Sequence, residues 1–253
     1  MEFTEEIARW IERLSGDRVV VSSEDGGLTM ITCNDLRILC IGIDLYQPFE
    51  MQPGVIHVWE DQWHTRRETV QGRIKSALGM ATRIHGRETQ VVKLNQPEAH
   101  AFIGDNHLLP SVKGKHKFGL IHRGELVTGA VFSKPCPVHR KGKEFQSVEL
   151  MRFCHLNGKT VIGGLTKLLS HLFKEVNPDD IMTYVDREWS QSNAFEKMGF
   201  THDSFSEPAI FWIHPSSFER VYPFKAKSDD QMKADGYLQF ENHGSEKLIL
   251  LRP

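Results

Sequence analysis

A strand, a glycine pair and a helix follow one another between residues 147 and 176, and that succession restricts the fold more than anything else in the chain. SVELMRFCHL reads as a strand, and VIGGLTKLLSHLFKEV as an amphipathic helix with its leucines on one stripe. Gly163 and Gly164 stand at the helix start. Glycines there let backbone N–H groups approach a phosphate, and the helix dipole favours the anion, so a pyrophosphate fits. Lys167 one turn on, or Lys159 just before, adds a point charge. The same pair also suits tight packing of helix on strand, and the dipeptide alone does not choose between the two.

Upstream, TEEIARWIERLSG sets Ile7, Trp10, Ile11 and Leu14 on one helical face, with Thr4 as cap and Gly16 as stop. RVVVSS, LTMITC and LRILCIGI read as adjacent strands of a small sheet, separated by turn-like EDGG and ND. GVIHVWED is another strand, and HTRRETVQGRIKSALG a helix with Val70, Ile74 and Leu78 in register. TQVVKLN is then a strand, QPEAHAFIGDNHLL a helix, and FGLIHRGELVTGAVF a hairpin turning at Arg123-Gly124. After the central helix come the strand IMTYVD, the short helix SQSNAFEKMGF, the strand AIFWIHP, and GYLQFENHGSEKLILL as a last hairpin. We expect three parts: a small mixed α/β unit over residues 1–82, an α/β domain over 83–224, and a hairpin tail over 225–253.

The 253 residues can bury a core, and 40% apolar with 25% charged residues is the composition of a folded chain. No apolar run is long enough to span a bilayer, and the N-terminus does not read as a signal peptide, so a cytoplasmic protein without membrane partners is expected. Cys33, Cys40, Cys136 and Cys154 form no CxxC pair; Cys136 with His139 and Cys154 with His155 are a weak zinc pattern, and no metal site is expected. The net charge of −2 hides a basic stretch from Lys113 to Lys143 that includes Lys115, Lys117, Arg140, Lys141 and Lys143. It is expected either to track a nucleic-acid backbone or to be a solvated hinge. Glu149 and Arg152 on the central strand are a general base with a substrate clamp, or an ion pair.

SNAFEKMGF resembles the Asn-x-x-(Tyr/Phe)-x-Lys-x-Gly-Phe segment of GNAT acyltransferases, and the element order is that of the family. The resemblance implies a central, mostly antiparallel sheet in which two parallel strands, here 148 to 155 and 181 to 186, splay apart. Between them would lie the pantetheine arm of acetyl-CoA or another acyl-CoA, with its pyrophosphate on the glycine-rich helix start. The family loop reads (Gln/Arg)-x-x-Gly-x-(Gly/Ala), where this chain has Thr160-x-x-Gly163-x-Leu165. In many members a tyrosine returns a proton to the leaving thiolate; Phe195 stands in its place.

IHVWEDQW, ELMRFC, VIGG-x-x-KLL, YVDREWS-x-x-N-x-(aromatic)-EK-x-GF and a closing Gly-Tyr hairpin together resemble bacteriophage proteins in which a nuclease-like unit precedes a GNAT-like domain. ELMRFC followed by YVD is more loosely similar to the Mom proteins of phages, GNAT-fold enzymes that modify adenine in DNA, and places Asp186 where they carry a functional aspartate. GVIHVWEDQWHTRRETVQGRI is similar to the last core strand and helix of very-short-patch-repair endonucleases, which hold magnesium on acidic and polar groups of the preceding strands. Thr29 and Cys40 lie near the places where carboxylates belong, so this comparison implies a lost cutting site. Asp35, Asp44, Glu60 and Asp61 remain as oxygen ligands or as turn and cap residues.

The resulting expectation is a phage-encoded GNAT-fold transferase that places an acyl-derived group on an amine, with a DNA base as acceptor. Gly163, Gly164, Thr166, Lys167 and Asn193 would bind the cofactor. Glu149 or Asp186 would accept the amine proton, and Ser190 or Asn193 would orient the intermediate. The alternative is a nucleic-acid-binding or nuclease-related recognition protein without catalysis, and the two differ in whether acyl-CoA binds.

Overall fold

The stripe of Ile7 and Ile11, joined by Phe3, becomes the buried side of α1 (Glu2–Ser15). In the computed structural model, which describes residues 2–24, 27–44, 49–52, 54–140, 142–189 and 193–253, there follow β1 (Val20–Ser23), β2 (Thr29–Cys33), β3 (Leu36–Ile41), β4 (Ile56–Trp59), α2 (Glu60–Thr65) and α3 (Arg67–Ala77). Next come β5 (Thr82–His85), β6 (Gln90–Lys93), α4 (Gln96–Asn106), β7 (His116–His122), β8 (Glu125–Phe132), β9 (Cys136–Arg140) and β10 (Lys143–His155). The chain continues through β11 (Lys159–Ile162), α5 (Gly164–Val176), β12 (Asp180–Asp186), α6 (Asn193–Glu196) and β13 (Thr201–Phe205). It ends with β14 (Ile210–Ile213), β15 (Arg220–Val221), α7 (Asp229–Ala234), β16 (Leu238–Glu241) and β17 (Ser245–Leu251).

Two units interleave along the chain: residues 1–70, 186–191 and 205–245 form one, and residues 71–185, 192–204 and 246–253 the other. This differs from the expected succession cut at 82/83 and 224/225. The reason lies between β13 and β17, where about forty residues leave the second unit to complete the first.

In the first unit β1, β2 and β3 are antiparallel, and β4 adds parallel to β3 with Ile38 opposite Ile56. A second sheet, β15-β14-β16, is antiparallel throughout. Met30, Leu39, Ile41 and Trp59 of the first sheet pack with Phe211, Ile213 and Phe240 of the second in one core. AIFWIHP is therefore a core strand of this unit, not a strand of the second unit's sheet. GYLQFENHGSEKLILL is likewise not a hairpin: β16 pairs with β14, while β17 belongs to the other unit.

The second unit is built on a sheet of order β13-β17-β12-β10-β8-β7-β6, with β9 folded onto β10. β6, β7, β8 and β10 are joined antiparallel, and β10 and β12 are parallel. The expected mixed α/β sheet with a parallel pair at its centre is thus present. The β7–β8 hairpin turns where expected: Arg123 (φ 50°) and Gly124 (φ 83°) both have positive φ, as a tight two-residue turn requires. Asn95 caps α4 with a reciprocal Glu98 bond, each side chain taking the other residue's N–H. Leu165, Leu168, Leu169 and Leu172 bury the apolar face of α5, against a core that includes Phe118, Leu120, Val148 and Ile181.

Candidate functional site

β10 and β12 run together only from Ser147–Asp180 to Leu150–Thr183. At the paired end Ser147 donates through Oγ to the fully buried Asp180, Arg140 forms an ion pair with the same carboxylate, and Thr183 Oγ1 donates to Leu150 O at 3.0 Å. Past Leu150 the register of β10 on β8 shifts, leaving Met151 as a bulge. A bulge bends its strand and sharpens the local twist, and here the β10–β12 ladder ends at the same point, although β10 continues to His155 and β12 to Asp186. The splayed pair expected over 148–155 and 181–186 is there.

Glu149 lies just before this divergence. Its N–H donates to Ser133 Oγ at 2.9 Å and its carbonyl accepts from Ser133 N at 3.0 Å, which fixes the backbone. Burial raises its carboxyl above the ordinary range, with the Arg152 charge acting in the opposite direction. Arg152 donates to carbonyls: Nε to Pro110 O at 2.9 Å and Nη1 to Met151 O at 2.6 Å.

The two glycines at the α5 start have different physical reasons. Gly163 is left-handed (φ 72°), exposed, and caps the helix without a side chain. Gly164 is a packing residue, since a Cβ there would lie 3.0 Å from Val161 Cβ and 3.2 Å from Leu120 Cδ1. The first backbone bond into the helix is Lys167 N to Gly163 O, 3.1 Å. The N–H groups of Gly164, Leu165 and Thr166 therefore have no acceptor within the helix, and Thr166 is exposed beside them.

Lys167 is turned elsewhere: its Nζ donates to Gly86 O (2.9 Å) and to Thr89 O. Lys159 forms an ion pair with Glu125. Residues 159–162 form a parallel ladder with residues 82–85, so strand pairing already engages the backbone that leads into the helix.

Asp186 ends β12 and accepts the Glu188 N–H at 2.9 Å. Asn193 is exposed at the start of α6, and Ser190 lies outside the described residues. Phe195 packs edge-on against Phe200, ring centroids 5.4 Å apart, partly buried against the core.

Most of the basic stretch forms the β7–β8 and β9–β10 hairpins. Lys115 and Lys143 are exposed. Lys117 donates to Gly114 O at 2.9 Å, and Arg140 is committed to Asp180, so neither side chain extends freely toward solvent. Lys141 lies outside the described residues.

Of the acids considered as oxygen ligands, Asp35 and Asp44 are exposed, while Glu60 and Asp61 are engaged in folding. Asp61 is buried against Arg220, and Glu60 Oε2 accepts from Ile43 N at 3.0 Å. Thr29 and Cys40 face each other across β2 and β3, and burial pushes the Cys40 thiol to about 12.

The Cys/His pairs do not converge: Cys136 Sγ donates to Lys134 O and His139 faces Glu144, while His155 Nδ1 meets Thr128 Oγ1 at 2.9 Å. Among the described residues, the His, Cys, Asp and Glu atoms that do converge are those of His57, Glu188 and His243. No sequence motif points to this group, whose members come from three distant segments.

Burial lowers the His155 imidazole from 6.5 to about 4, so it is neutral in the folded protein. Between these values the unfolded chain binds the extra proton and the folded one does not. The second unit should therefore lose stability as pH falls from about 6.5 to about 4, by about 3 kcal/mol at the lower end, and show no His155 contribution to the slope above that window. Urea denaturation followed by far-ultraviolet circular dichroism checks this, and an undiminished slope in H155N would assign it to other groups.

No family model matches the chain, and no curated protein matches its sequence. Solved structures with a similar backbone include the histone acetyltransferase HPA2 and related acetyltransferase from Corynebacterium glutamicum, 11% identical over 66% of this chain and 97% of that one, with a TM-score of 0.40. The ribosomal-protein-S18-alanine N-acetyltransferase from Escherichia coli is 13% identical over 64% of this chain and 93% of that one, with a TM-score of 0.37. Eis1 from Mycobacterium abscessus is 16% identical over 50% of this chain with a TM-score of 0.39, and the match spans 34% of its own length. In each case the likeness is one of backbone fold.

Proposed function

We propose that the second unit is a GNAT-type acyltransferase that moves an acyl group from acyl-CoA to an amine, with an exocyclic amine of a DNA base as acceptor. The observation that carries this reading is the parallel pair β10–β12, which parts after Leu150–Thr183 at the Met151 bulge and is connected through a helix whose N-cap, Gly163, is exposed and brings no side-chain cap. Three N–H groups in the first turn of α5, beside Gly163 and Thr166, suit a pyrophosphate. Acyl-CoA would supply the thioester carbonyl to which the amine nitrogen adds.

Glu149 would take the proton that the nitrogen must lose. Its raised carboxyl is suited to that task, because a general base works best with a pKa near the working pH. Phe195 has no proton to give to the departing thiolate, so that proton returns from Glu149 through water. DNA is favoured as acceptor by the sequence likeness to phage proteins and by exposed Lys113, Lys115 and Lys134. These lie where β7 begins and β8 ends, the same end of the sheet at which Ser133 holds the Glu149 backbone. Cationic side chains there would bind phosphates without reading sequence.

Calorimetric titration with acetyl-CoA tests the reading. The folded protein should bind, and G163V, which forces a branched side chain into a left-handed position, should bind at least about tenfold more weakly. Mass spectrometry of nucleosides from DNA of expressing cells should show an acylated base. DNA binding without any acetyl-CoA binding by the folded protein would replace this reading with a recognition module.

A further inference from the structure

We propose that the first unit binds one zinc ion between His57, Glu188 and His243. This site lies within the first unit and does not depend on the acyltransferase reading. One potential ligand atom from each residue lies within 4.8 Å of the other two. They come from β4, from the turn after β12 and from the turn before β17, all inside the first unit.

His57 is the observation that requires an explanation. It is 0% exposed, and neither Nδ1 nor Nε2 has a hydrogen-bond partner. A buried imidazole with both nitrogens unsatisfied bears a desolvation cost that a packed core ordinarily avoids. The rings of Phe49 and His243 flank it, with centroids 5.4 and 5.2 Å away, and neither offers a hydrogen bond to its nitrogens.

The other two residues have the outer contacts typical of metal ligands. His243 Nε2 is 3.0 Å from Phe49 O; donation to that carbonyl leaves Nδ1 as the lone-pair nitrogen. Glu188 accepts Trp59 Nε1–H on Oε2 at 2.9 Å, while Oε1 accepts the His243 backbone N–H at 3.3 Å and faces His243 Nδ1 at 2.9 Å. Without an ion, His243 must donate from both nitrogens to satisfy this geometry, and His57 still has no partner. A cation in the centre would accept lone pairs from all three.

Two imidazoles and one carboxylate are borderline donors that suit zinc, whereas magnesium and calcium prefer oxygen ligands. Tetrahedral zinc would have its fourth position available for water. Binding would join three segments that are distant in sequence and would stabilise the first unit alone.

All five tryptophans, Trp10, Trp59, Trp63, Trp189 and Trp212, belong to that unit, so their fluorescence follows its unfolding. The test uses the full chain, stripped with a chelator and titrated with zinc. The expected result is about one ion bound per chain more tightly than about 1 µM. Tryptophan-monitored melting should rise by roughly 5 °C or more at a zinc concentration about 100 times Kd. Cobalt in the same site should give the visible absorption of a four-coordinate ion.

H57Q and H243Q should lose this binding. The cobalt spectrum of the unaltered protein keeps the proposal testable if a variant fails to fold. No binding by folded protein, a six-coordinate cobalt spectrum, or unchanged affinity in a folded H57Q would overturn it.

Discussion

Replacing Asp61 with alanine should destabilise the first unit by about 3–5 kcal/mol, because it leaves a buried guanidinium without its counter-charge. Both Arg220 Nε and Arg220 Nη2 donate to the Asp61 carboxylate at 2.7 Å. The side chains are 1% exposed for Asp61 and 11% for Arg220, so water cannot replace the lost partner. The guanidinium also lies over the Phe211 ring at 4.1 Å and near Trp59 at 5.4 Å, which holds it in the core when the carboxylate is gone. Urea unfolding followed by tryptophan fluorescence reads the loss. The double variant D61A/R220M should recover much of it, since removing both charges together avoids the unpaired one. A loss below about 1 kcal/mol in D61A would mean that the pair is solvated in a way its burial does not suggest.

The elements legible in the sequence were those specified by local periodicity. The stripe of α1, the Arg123-Gly124 turn and the leucine face of α5 follow from neighbours within a few residues, and each formed. Strand partnership did not follow in the same way. IFWI at 210–213 and LILL at 248–251 are both short apolar runs, and period alone does not say which joins the second unit's sheet beside β12. The structure gives that place to β17 and uses β14 to bury Phe211 and Ile213 against Trp59.

The candidate site divides along the same line. Glu149 and Gly163 keep the positions expected of them, because a place on a strand or at a helix start is a local property. The commitments of Lys167 to Gly86 and Thr89, and of Arg140 to Asp180, depend on acceptors far away in sequence. A lysine that looked like a phosphate ligand is instead a clasp between backbone carbonyls. His57, Glu188 and His243 were illegible for the same reason: three ordinary residues acquire a common centre only when β4, the end of β12 and the start of β17 are in place.

Glu149→Gln should lower kcat by about 100- to 10,000-fold if the carboxylate is the base that deprotonates the attacking amine. Glutamine keeps the shape and the backbone bonds to Ser133 but cannot take a proton, so acetyl-CoA affinity should be unchanged. Release of coenzyme A thiol from acetyl-CoA, with a single-stranded oligonucleotide containing all four bases as acceptor, gives the rate. The unaltered protein should gain kcat/KM with rising pH as the carboxyl ionises. That limb should sit above the ordinary glutamate range because burial disfavours the charged form, and E149Q should lack it. Asp186 is the weaker base on chemical grounds, since one of its oxygens already accepts the Glu188 N–H and the turn after β12 rests on that bond. A rate in E149Q within about threefold of the unaltered protein, with the same pH limb, would remove Glu149 from the reaction and make Asp186 the next carboxylate to test.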